Sequence, residues 1–186
     1  MPTRLRAALA ILTAAVCVAA GAAAEAPPPH PDREDLARRI RGRTFPSVFQ
    51  AWSPAEVPGD ASRLRTMARH DLVFHGVGGF GLRWDGHPRG LATGIDPASI
   101  ERGRAMRRRL LDLNPHIVLL AEIRYRDAHA SFLPADHSFW RRCDGKRVPG
   151  WAEGGYFQMD FSNPDYRAHV AKRAVAVVAT GVVDGV

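Results

Sequence analysis

Three apolar runs in this sequence end in residues whose types can do chemistry. Gln50 and Trp52 close the first, His75 the second, and Glu122 with Arg124 the third, while Asp160 stands before the last long helical stretch. In parallel α/β architectures sites are built at the C-terminal ends of strands, which makes these six residues the candidate ligand-contacting set. The indole of Trp52 offers an apolar face on which the axial C–H bonds of a sugar ring can stack; the competing reading is a packed hydrophobic cap. His75 can donate to a hydroxyl or tune a carboxylate, or serve as a satisfied structural residue. Glu122 and Arg124 share strand parity, so both can face one side. A carboxylate beside a guanidinium stays ionised and suits a hydroxyl acceptor better than a general acid, unless the two simply knit the structure together as an ion pair. Asp160 either touches substrate or orders the following helix, with Ser162 or Asn163 as the cap.

Some chemistries are excluded by spacing. The eight His residues show no paired spacing with Cys or carboxylates of the kind zinc needs, so no metal is expected and no cofactor is implied. A dinucleotide fold lacks its Gly-rich fingerprint, because Ala51, Trp52 and Ser53 follow the first run, and Gly76, Gly78, Gly79 and Gly81 lead into Leu82 rather than a helix. The charge of +7 invites nucleic acid, but all of the 26 basic residues except Lys146 and Lys172 are Arg, which is a compositional skew. The dense cluster Arg102–Arg109 lies on an amphipathic stretch and reads as a solvated face, so no nucleic-acid partner is expected.

The elements that must position the candidates are legible from periodicity. Runs at Phe45–Trp52, Asp71–Val77, His116–Ile123 and Val182–Val186 read as strands. The third is apolar on both alternating faces and needs cover on both sides, as in a parallel sheet. Asp96 and Pro97 open a helix carrying Ile100, Met106, Leu110 and Leu113, and Asn114–Pro115 end it. Asn163 and Pro164 open another, with Tyr166, Val170, Ala174 and Val177 on one stripe and Gly181 at its C-terminal end. The order is an open or barrelled parallel α/β architecture. Residues Asp127 to Asp160 form a long connection with Phe132, Trp140, Trp151 and Tyr156, suited to a subsite wall or to a small core that anchors the loop.

Arg4 and Arg6 precede an apolar Ala-rich stretch to Ala20, then small residues and Pro27–Pro29, the layout of a cleavable signal peptide ending at Ala24. The expected location is secreted or periplasmic, with no stable membrane anchor after cleavage. Residues 25–44 read as a linker or a helix leading into the first strand, and 45–186 as the folded domain. Cys143 is then the one remaining cysteine; no intramolecular disulfide can form, and partial burial of the thiol is expected.

Three stretches carry a family resemblance: Ala121-Glu122-Ile123-Arg124-Tyr125-Arg126-Asp127, Gln158-Met159-Asp160-Phe161-Ser162-Asn163-Pro164 and Gly181-Val182-Val183-Asp184-Gly185-Val186. In combination they resemble the glycoside-hydrolase-like (β/α)8 proteins, which are similar to α-galactosidase and α-amylase barrels. The resemblance implies the N-terminal half of a (β/α)8 TIM barrel, with the chain truncated in the fourth strand. It also implies a carbohydrate substrate and hydrolysis of an O-glycosyl bond by a carboxylate pair in a full-length protein, the catalytic carboxylates lying beyond Val186. A non-catalytic carbohydrate-binding barrel and a metal-dependent barrel hydrolase are the alternatives.

Overall fold

The structure, a computed structural model, describes residues 33–43, 47–52 and 62–186. The proposed signal peptide lies outside the described residues. Helix α1 (Arg33–Arg41) is followed by β1 (Phe49–Ala51), α2 (Arg63–Ala68), β2 (Leu72–Gly76), a short 3₁₀ turn at Val77–Phe80, α3 (Pro97–Leu113) and β3 (Val118–Glu122). Two small antiparallel pairs come next, β4 (Asp127–His129) with β7 (Tyr156–Gln158) and β5 (Arg142–Cys143) with β6 (Lys146–Arg147), before α4 (Pro164–Ala179).

Strands β1, β2 and β3 form one parallel sheet in that order, and the register sets which side chains share a face. Gln50, Val73 and Leu119 are aligned neighbours on the face covered by helices; Val73 and Leu119 there join Met67 of α2, Leu110 of α3 and Val177 of α4 in the main core. Ala51, Phe74 and Leu120 occupy the opposite face, which is only partly covered.

This sheet corrects the expected half barrel. The described residues contain three parallel strands and two small antiparallel pairs, with no closed barrel. The fourth apolar run does not become a strand. It touches β3 through one bridge, Leu120 to Gly185, with Asp184 N–H donating to Leu119 O and Ala121 N–H donating to Gly185 O. Its apolar character has another use: Val182 and Val183 are buried in the core, and Val182 packs so close to Gly103 of α3 that a Cβ there would sit 2.9 Å from it. Two-sided burial of β3 therefore reports local cover and not closure.

Helix α3 begins at Pro97, but the Asp96 carboxylate makes no capping bond and instead pairs with Arg83 at 2.8 Å. Asn163 does cap α4, its side-chain oxygen accepting from the N–H groups of Asp165 and Tyr166. Gly181 follows that helix at φ +69°, a conformation that glycine adopts without a Cβ penalty.

The excursion between β3 and α4 has a core of its own, in which Ala128, Leu133, Phe139, Trp140 and Met159 pack on Tyr166 of α4. The packing shows an anchoring core around Trp140, with Phe132 at its margin and Trp151 exposed outside it. Cys143 lies exposed on the β5–β6 hairpin, which corrects the expected burial of the thiol. The Arg102–Arg109 cluster is also more than a solvated face, since Arg104 Nε donates to Thr180 O and Arg107 reaches Asp184 and Val182 O. No helix of the described residues is long and apolar enough to cross a membrane.

Candidate functional site

The C-terminal end of the sheet carries two adjoining clefts that share Glu122, Ile123 and Arg124. The larger, of about 720 Å³, is mainly apolar and runs from Trp52 and Phe74 past Tyr125 to Val170 and Ala174 of α4. The smaller, of about 470 Å³, is basic: Arg63, Arg89, Arg124, Arg173 and His75 line it together with Glu122, and the glycines Gly76, Gly78 and Gly79 form part of its wall.

Trp52 stands at the edge of the apolar cleft, 57% exposed, with its backbone at φ +59°. A bulky residue in the left-handed region is costly and persists only where the surroundings hold it. Here its N–H donates to Phe74 O, its ring meets Phe74 edge-on at 6.3 Å, and its indole Nε1–H donates to Glu122 Oε2 at 3.2 Å. The exposed aromatic surface and the carboxylate are thus fixed relative to each other.

Arg124 does not pair with Glu122. Its Nε donates to Asp127 at 2.8 Å, and its guanidinium lies 4.3 Å from the centre of the Tyr156 ring. The hydrogen bond to Asp127 raises the Arg124 pKa despite some burial. Burial pushes the Asp127 carboxyl upward, but hydrogen bonds and charge from Arg124 and Arg126 outweigh it and hold the group below its ordinary value. With its side chain 3% exposed, Asp127 is an enclosed anchor. Glu122 is the accessible carboxylate of the two.

His75 accepts a hydrogen bond at Nε2 from Arg63, which can only donate, and its Nδ1 lies 3.1 Å from Gly76 O. Those partners make Nε2 the acceptor and Nδ1 the donor of the ring. A Cβ at Gly79 would stand 2.1 Å from this ring, so glycine there is what lets the histidine lie against the turn.

Gln50 and Asp160 sit elsewhere. Gln50 is buried on the helix face and donates from Nε2 to Trp52 O, supporting the strand end from behind. Asp160 accepts from both the N–H and the hydroxyl of Ser162 ahead of α4, and these bonds lower its pKa. It orders the helix start and lines neither cleft.

Two features lay outside the sequence reading. Arg173 is 5% exposed, its Nη1 donates to Arg89 O and Ala92 O, and its guanidinium lies 3.6 Å from the centre of the Trp84 ring. Burial lowers its pKa to about 10, so it remains a cation at neutral pH. The available signal was positional: Tyr166, Val170, Arg173 and Val177 follow the spacing of a buried helical stripe, which places a charge on it. The second feature is Asp184, whose fully enclosed carboxylate accepts from Arg39 of α1 and Arg107 of α3, each at 2.6 Å, and from Leu119 N–H. Burial pushes this carboxyl up, but both guanidinium groups overcome that and hold it below its ordinary value.

Among the described residues no group of three or more His, Cys, Asp or Glu could hold a metal ion. Comparison with known protein families, curated proteins and solved structures gave no match for the chain.

Proposed function

We propose that the protein binds a carbohydrate across the strand-end clefts, with Trp52 as the stacking platform and Glu122 as the hydroxyl acceptor. The observation that carries this reading is the exposed Trp52 indole, held at a costly backbone angle and tied through Nε1 to Glu122. A sugar presents both an apolar face and a rim of hydroxyls, and an indole beside an accessible carboxyl group answers both. Arg124, anchored by Asp127, and His75, held by Arg63, supply further polar groups to the same rim.

Binding is favoured over hydrolysis by the carboxylate arrangement. Glycoside hydrolysis generally uses two accessible carboxyl groups across the scissile bond. Among the described residues lining these clefts, Asp127 is enclosed and committed to two arginines, and Glu122 is the carboxylate left accessible. Titration calorimetry against a panel of oligosaccharides tests the proposal, with Trp52→Ala expected to weaken binding several-fold, since aromatic contacts contribute about 0.5–1.5 kcal/mol. Unchanged affinity in a variant whose circular dichroism is intact would return Trp52 to the role of a hydrophobic cap. Turnover of aryl glycosides by this chain would restore the hydrolase reading. An exported location completes the proposal, supported by the order of Arg4, Arg6 and the Ala-rich run; mass spectrometry of the mature protein is expected to show loss of the first 24 residues.

A further inference from the structure

We infer that the basic cleft beside Glu122 receives an anionic substituent, so that the ligand is an acidic carbohydrate carrying a carboxylate or a sulfate ester. This rests on the carbohydrate reading above and narrows it to a substrate class. Of the charged groups lining the cleft, Arg124 is already matched by Asp127, which leaves Arg63, Arg89 and Arg173 facing the single charge of Glu122. The cleft therefore holds an excess of positive charge that no described carboxylate neutralises.

Arg173 gives the strongest indication. A guanidinium this deeply buried ordinarily has an anionic partner, because taking a cation out of water is costly. Both hydrogen bonds of Arg173 leave from Nη1 and go to backbone carbonyls. Trp84 and Phe132 hold its plane, with ring centres 3.6 and 5.4 Å from the guanidinium carbon. Arg173 lines the cleft, and a guanidinium fork held in this way has the donor geometry that suits a planar carboxylate or two sulfate oxygens. The adjoining apolar cleft places Trp52 on the other side of Glu122, so one sugar unit can stack there while a neighbouring acidic unit enters the basic cleft.

The test compares two matched pairs by titration calorimetry: tri-galacturonate with its methyl ester, and a sulfated galactan oligosaccharide with its desulfated form. The expected result is roughly tenfold or greater preference for the charged member of at least one pair, the size of one charge-assisted hydrogen bond, and the pair that shows it identifies the anion. Arg89→Gln, at an exposed position, is expected to abolish the preference while retaining the weaker binding of the neutral form. Arg173→Gln carries a folding risk, so Gly78→Leu serves beside it: Gly78 is in the cleft wall, a Cβ there meets nothing within 4 Å, and the added bulk is expected to reduce the preference for the charged member. Equal affinity for charged and neutral members, still lost in Trp52→Ala, would overturn the acidic-ligand inference and leave carbohydrate binding standing. A preference that survives Arg89→Gln would overturn it as well. Failure of every saccharide, with inorganic sulfate alone binding, would overturn both readings.

Discussion

Asp184 shows how a single side chain ties distant parts of this chain together. Its carboxylate joins α1 through Arg39, α3 through Arg107 and the edge of β3 through Leu119 N–H, so one anion satisfies two enclosed cations and a strand-edge donor. Replacing both charges in such a cluster can be neutral, but removing one partner strands the others. Asp184→Asn keeps the volume and an acceptor while removing the charge that Arg107 pairs with and leaving Arg39 only its ion pair with Asp35. The expected loss is about 3 kcal/mol or more, read as a lowered urea midpoint with an unchanged slope. Asp127 holds Arg124 and Arg126 in the same manner, yet those arginines are 40% and 75% exposed. Asp127→Asn is therefore expected to destabilise less, and its effect should appear in ligand affinity through the loosened Arg124. Equal losses of stability in the two variants would show that burial of the partner cations does not set the cost.

The helices divide the energetic work unevenly, and α4 carries most of what links fold to site. Tyr166 joins the excursion core, Val177 the main core, Val170 and Ala174 the apolar cleft, and Arg173 the basic one. Its N-terminus depends on Asn163, so Asn163→Ala should cost about 1 kcal/mol, measured by thermal unfolding. The stripe, cap and terminating glycine of α4 could all be read from spacing, because local rules govern them. The first three strand runs were likewise legible in position, with β1 shorter than its apolar run, whereas the fourth is not a strand. Closure was not legible. Apolar residues on both faces of Ile117–Ala121 demand cover, but the pattern does not say whether strands or a terminal segment such as Val182–Val183 supplies it. The partner of Arg124 also escaped: parity allowed Glu122, whereas the turn after β3 brings Asp127 within 2.8 Å, and periodicity does not encode turn geometry. Buried charges on apolar stripes, Arg173 above all, were the signal left unused.

For the molecule as a whole, the sheet and the excursion form two cores spanned by α4, and their acid responses should separate. His169 of α4 lies against Phe139 of the excursion core and donates from Nε2 to Gly90 O at 2.6 Å. Burial depresses its pKa despite that hydrogen bond, so the folded state favours the neutral ring. Its contribution to stability is present above the unfolded value of about 6.5 and is lost as pH falls from there through the lower folded value. Asp184 belongs to the main core and its folded pKa is also depressed, which keeps its contribution present above about 3.9 and removes it only as pH falls below that range. Urea unfolding from pH 8 downward should therefore show one loss of stability beginning near pH 6.5 and a second below about pH 4. The first is expected to vanish in His169→Gln, which keeps a donor for Gly90 O, and the second to shrink in Asp184→Asn. Hydrogen exchange at each pH locates the effects: amides of β4, β7 and the start of α4 should lose protection in the upper window, and those of β2, β3 and α3 should hold until the lower one. Simultaneous loss of protection in both sets near pH 6.5 would mean that the two cores unfold as one cooperative unit through α4.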